Sequence, residues 1–191
     1  NSFSVKVYLL LAKSALILQN KSNQAIDSIH FNIDTDWNMK IHIKNAELVL
    51  EDKELDYRIY KLDKPLAPNE KMPLVVEAAY ITNGFENEVS NTFIAENGTF
   101  INNFSVLPSF GYNESFEIGD KNTRKKYDLK PKERMPKLEQ NCGKGCHVNY
   151  LTDGMSDWIN VETFISTSNT QTAIAPGSLI KEWKENGRNY Y

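Results

Sequence analysis

Cys142-Gly-Lys-Gly-Cys146-His147 is the sharpest local pattern of reactive side chains in the chain. Two thiols and an imidazole can ligate a metal, and the spacing is one residue longer than the Cys-x-x-Cys-His of covalent haem attachment. Nothing around it supplies an axial Met or His context. The expectation is therefore a local disulfide between Cys142 and Cys146 in an oxidising compartment, or two free thiols in a Gly-rich loop, with no catalytic role. His30 and His42 fall on different strand-like runs, without a His-Glu-x-x-His pair or a carboxylate in helical register, so no zinc centre is encoded and metal ligands are assigned to none. Both histidines are expected on solvent-facing strand positions.

Other chemistries find no better support. No Gly-x-Ser-x-Gly elbow activates a serine, and Gly143 and Gly145 lack the strand before and helix after that a phosphate cradle needs. Lys121, Arg124, Lys125 and Lys126 lie beside Glu117, Asp120 and Asp128, which suits a solvated face better than a nucleic-acid surface. The net charge of −3 agrees. Four Asn-x-Ser/Thr sequons, at Asn20, Asn97, Asn103 and Asn113, would sit on exposed loops in a secreted eukaryotic protein.

The elements that must position these residues read as strands. At 191 residues, with 40% hydrophobic and 25% charged residues, the chain suits one folded β-domain spanning 1–191, and its longest apolar run, 7–12, is far too short for a membrane span. Residues 3–11 and 15–19 read as two strands around Ala12-Lys13-Ser14. Ile29, Phe31 and Ile33 alternate with His30 and Asn32, and Met39, Ile41 and Ile43 alternate with Lys40 and His42. Two further alternating runs, 55–60 and 74–78, flank Pro65-Leu-Ala-Pro-Asn-Glu70, which predicts a hairpin. Asn97-Gly98 predicts a second hairpin, and Pro108 predicts an edge strand or a strand exit. Residues 111–156 mix charges of both signs with little periodicity and predict a long surface loop, with one helical turn at 123–127. Residues 158–163 and 171–175 predict a strand pair around the turn-forming Ser166 to Asn169, and Gly187-Arg188-Asn189 predicts a turn. The fold class expected is all-β: an antiparallel β-sandwich or saddle-shaped sheet with one long irregular loop. The ends read as cuts within a longer protein.

Taken in order, Leu66-Ala-Pro-Asn-Glu70, Leu74-Val-Val-Glu77, Asn102-Asn-Phe-Ser-Val-Leu-Pro108, residues 158–166 and Ala173-Ile-Ala-Pro-Gly177 resemble the N-terminal β-domain of aminopeptidase N-like zinc metallopeptidases. The likeness is to the bacterial form fused to an ABC-type permease. It implies a non-catalytic domain that packs on the catalytic domain of the same chain and walls the substrate cleft. Zinc and the peptide-cleaving residues would belong to that missing part, and the membrane would be reached only through the parent protein. The family's residue that holds the substrate's amino terminus, a Gln or Glu, falls on Asn103, which is shorter and uncharged. Two other functions suit the same strands: a free-standing β-sandwich for binding or adhesion, and an interaction domain of a transporter-associated inactive peptidase homologue.

Overall fold

The computed structural model describes residues 8–34, 36–82, 93–95, 98–111, 117–132 and 160–191, without the side chains of residues 103 and 104. The chain forms two compact units, Asn1–Ile118 and Gly119–Tyr191. It is mostly β, in several antiparallel sheets.

In the first unit the strands are β1 (Leu9–Gln19), β2 (Ile26–Asn32), β3 (Asn38–Ile43), β4 (Ala46–Asp52), β5 (Tyr57–Leu66), β6 (Lys71–Ile81), β7 (Ile94–Ala95), β8 (Gly98–Thr99) and, after a helical turn α1 (Asn103–Val106), β9 (Ser109–Phe110). One sheet has the order β1-β6-β3 and a second β4-β5-β2-β9. The inward side chains follow from the period-2 alternation of strands. Met39 and Ile41 from β3 and Leu74, Val76 and Ala78 from β6 share a core with Phe31 from β2 and Tyr60 from β5. Phe31 is fully buried, with its ring 5.6 Å from Tyr60 and 5.2 Å from Phe110. This is a sandwich: two sheets, each with one dry face turned to the other.

Three expectations need correction. Residues 9–19 form one unbroken strand, not two, because β6 pairs with all of it from Leu9↔Ile81 to Gln19↔Lys71. The runs at 55–60 and 74–78 are not a hairpin. β5 pairs with β2 and β4, β6 pairs with β1 and β3, and residues 67–70 carry the chain from one sheet to the other. Lastly, Asn20 is no exposed sequon: it is 1% exposed and lies where two such crossings meet.

At that corner Asn20 Nδ2 donates to Leu66 O (2.9 Å) and Gln24 O (2.7 Å), while its Oδ1 accepts from Ser22 N (2.9 Å) and Ser22 Oγ (2.8 Å). Its backbone N–H donates to Glu70 O and its carbonyl accepts from Asn69 N. Asn69 itself turns at φ 64°, a left-handed conformation that Asn tolerates. One amide thereby binds the crossing from β1 to β2 to the crossing from β5 to β6.

The hairpin expected at Asn97-Gly98 is present as β7 paired with β8, Asn97 itself lying outside the described residues. β9 is an edge strand directly after Pro108, as the missing N–H requires.

The second unit holds α2 (Lys121–Lys126) and a three-stranded sheet, β10 (Ser166–Ser168), β12 (Arg188–Tyr190) and β11 (Trp183–Glu185), in that order. Helix α2 covers most of the expected turn and is capped by Asp120, whose Oδ1 accepts from Thr123 N (2.7 Å). That same bond, with one from the Thr123 hydroxyl, holds the Asp120 carboxyl below its usual range. The expected strand pair does not form over the described residues 160–163 and 171–175, residues 158 and 159 lying outside the description. Ser166–Ser168, read as a turn, is a strand, and its partner is Arg188–Tyr190. The turn lies one residue earlier than expected, at Asn186-Gly187, with φ 49° and 72°. These are the two positive values of a two-residue hairpin loop between β11 and β12.

Replacing Asn20 with Ala removes the buried bond to Leu66 O and both bonds from Ser22, so the variant should unfold about 1–3 kcal/mol more easily in urea. A change below about 0.5 kcal/mol would show that the corner holds without the amide.

Candidate functional site

A concavity of about 250 Å³ is lined by Trp37, Glu51, Asp52, Asp56, Tyr57 and Arg58 among others. Its chemistry follows from how the strands deliver these side chains. Phe31↔Arg58 and Glu51↔Arg58 are opposed pairs, so Arg58 shares the inward face of its sheet with Phe31. From there its Nε donates to Glu51 Oε1 (2.8 Å) and its Nη1 reaches across to Met39 O on β3 (2.9 Å). Arg58 is thus a polar bridge between the sheets, and its charge is matched at Glu51.

The carboxylates of the rim are also committed to structure. Asp52 Oδ1 accepts from Glu54 N and Leu55 N and shapes the β4–β5 loop, and Asp56 closes that loop at φ 54°. Burial pushes the Asp34 carboxyl up, opposed by the Asp36 N–H and reinforced by the Asp36 and Asp56 carboxylates. Trp37 packs its ring 5.2 Å from Tyr80, and its buried Nε1 has no hydrogen-bond acceptor among the described residues. Tyr57 OH shares a 2.7 Å hydrogen bond with His30 Nδ1 on the opposite face of the same sheet. Burial also raises the Tyr60 hydroxyl. The concavity presents acceptors and an aromatic wall, with Glu51, Asp52, Tyr57 and Arg58 all held in hydrogen bonds to other protein groups.

The residues singled out in the sequence do not converge. His30 is on β2 and His42 on β3, in different sheets. His30 is half-buried rather than solvent-facing, because Tyr57 covers it. His42 does face solvent, with Nε2 3.5 Å from Glu77 Oε2, and Glu77 also accepts from Lys13 Nζ (2.9 Å). Lys13, and then His42, hold the Glu77 carboxyl below its usual range. Asn103 is the first residue of α1; its side chain, Asn113, Cys142, Cys146 and His147 lie outside the described residues. The turn that carries Asn103 is anchored on both sides: Asn102 Oδ1 accepts from Ser105 N and Oγ (3.1 Å each), and Val106 packs on the sandwich core. The basic cluster lies along α2 with most of its side chains exposed.

The second unit has a feature that sequence reading missed. Trp183 and Tyr190 are opposed across β11 and β12 and stack at 5.1 Å with 9° between their planes. Phe164 closes on both, at 5.6 Å and 5.8 Å, and is 66% exposed. Lys181 Nζ sits 4.9 Å over the Trp183 ring. On the same face Arg188 donates to Ser166 Oγ (2.6 Å) and O (3.0 Å). The signal was the Asn186-Gly187 turn, which brings residues 183 and 190 opposite each other.

Replacing Arg58 with Leu removes the bond to Met39 O and leaves Glu51 unmatched, and should lower stability by about 1.5–3 kcal/mol; an unchanged urea midpoint would show the bridge to be idle. Because the folded Glu77 carboxyl lies below its unfolded value, its contribution is present above the usual glutamate range and lost as pH falls through the folded value. In Lys13→Ala the carboxyl titration followed by NMR should move up, and an unmoved curve would break the link to Lys13.

No family model, curated protein or solved structure matches this chain.

Proposed function

We propose that the chain is the non-catalytic N-terminal β-domain of a zinc aminopeptidase-like protein, packing on the catalytic domain and forming one wall of its substrate cleft. The ordered motifs named above motivate the reading. The observation that carries it is the aromatic cluster of the second unit, where the 66% exposed Phe164 stands over the Trp183–Tyr190 stack. An exposed aromatic cluster of this kind suits a surface that another protein domain covers. A domain whose task is to dock and to shape a cleft needs such a face and needs no catalytic group of its own.

In this reading Asn103 contributes to the site through its position on α1, where Asn102 and Val106 hold the backbone turn in place. An uncharged amide there would accept from, or donate to, the substrate terminus without the charge pairing that the family's Glu supplies. Zinc, the metal-activated water and the permease part would all belong to other segments of the parent.

The deciding experiment reads the parent gene past the codon for Tyr191. A His-Glu-x-x-His with a downstream Glu in the same frame supports the proposal, and a frame without them overturns it. In the full-length peptidase, Asn103→Ala should raise KM about tenfold with kcat nearly unchanged, as for loss of a contact made equally in ground and transition states. An unaltered KM would remove Asn103 from the site.

A further inference from the structure

β1 is the longest edge of the first sandwich, and its open side is regular. Thr82 N donates to Tyr8 O beyond one end and Asn20 N donates to Glu70 O beyond the other, both 3.0 Å. The register with β6 runs between them without a shift. In an antiparallel ladder the residues that exchange hydrogen bonds with one neighbour alternate with those that face away. Even-numbered residues of β1 therefore bond to β6, while Leu9, Leu11, Lys13, Ala15, Ile17 and Gln19 direct N–H and C=O outward. Among the described residues β6 is the only strand beside β1.

Of the devices that usually blunt such an edge, β1 keeps one, the mid-strand Lys13. β1 has no proline and no bulge. Its single charge, Lys13, is matched by Glu77 on the neighbouring strand. The side chains of the same outward-bonding residues line the outer face, where Leu9, Leu11 and Ile17 are 59%, 72% and 74% exposed.

We propose that β1 pairs with β1 of a second copy of this chain, antiparallel about a two-fold axis at Ser14, to join two three-stranded sheets into one of six. The strand's own sequence selects the occupant and the register. Opposed residues must share a face, so the axis falls on a residue and not between two. Centred on Ser14, Leu11 meets Ile17 of the second copy, Leu10 meets Leu18, Ala12 meets Leu16, and Lys13 meets Ala15. Centring on Lys13 would oppose two like charges, and centring on Ala15 would set Leu11 against Gln19 and Lys13 against Ile17. The Ser14 register pairs the strand over its whole length and sets apolar against apolar at Leu11–Ile17, Leu10–Leu18 and Ala12–Leu16, with Leu9 against Gln19 at each end.

The test is sedimentation of the 191-residue chain over a range of concentrations, with Ala15→Pro and Ile17→Lys beside it. Proline at 15 removes an outward N–H and leaves the ladder to β6 intact. The expected result is a concentration-dependent dimer whose dissociation constant rises at least about tenfold in each variant, with circular dichroism unchanged; should Ala15→Pro not fold, Ile17→Lys decides alone. In a Cys142→Ser, Cys146→Ser background, oxidised Ser14→Cys should give a covalent dimer, because a central non-hydrogen-bonded pair brings its Cβ atoms within disulfide reach, while Leu11→Cys should not. A chain that stays monomeric overturns the proposal. So does a dimer indifferent to Ile17→Lys, or one that crosslinks through Leu11→Cys as readily as through Ser14→Cys.

Discussion

The sandwich depends on the buried amide of Asn20. A two-sheet fold must carry its backbone across the edge of the core several times, and each crossing takes peptide groups out of a ladder. Asn20 meets that requirement for two crossings at once. Its two donors go to Leu66 O and Gln24 O, its oxygen takes Ser22, and its backbone closes on Asn69 and Glu70. A hydrophobic side chain of equal size would fill the space and leave those groups orphaned. Glu70 completes the corner by accepting from Ala67 N through its carboxylate (2.8 Å).

With the corners closed, the apolar faces can meet. Phe31, Tyr60 and Phe110 come from one sheet and Leu74, Val76 and Ala78 from the other, and together they exclude water between them. Arg58 sits at the margin of this seam, where a charge can stay paired with Glu51 and still reach a carbonyl of the facing sheet. The same economy explains the concavity beside it. Its Asp52 carboxylate is occupied in building the β4–β5 loop and its Glu51 carboxylate in the bond from Arg58.

Apolar residues turned outward tell a different story. On β1 and around the Phe164, Trp183 and Tyr190 cluster, hydrophobic side chains lie on faces that the described elements leave open. The two proposals above rest on these separate faces.

Sequence alone was enough for the fold class and for much of the core, because alternation is a local property. Ile29, Phe31 and Ile33, then Met39 and Ile41, then Leu74, Val76 and Ala78 could be set on dry faces before any strand had a partner. The asparagines near turns and the proline before β9 were legible for the same reason: the φ angle and the missing donor belong to one residue. The candidate site was not legible: the histidines singled out in the sequence are not among the residues that line the concavity. Partner choice was decided by tertiary structure. Nothing local says that β5 and β6, joined by four residues, belong to different sheets, or that Ser166–Ser168 pairs with a strand some twenty residues later. Burial of Asn20 likewise required Leu66, Gln24 and Glu70 to arrive from two crossings at once. Pairing and burial are sums over residues distant in the chain, so they emerge only when the whole backbone has found places for its hydrogen bonds.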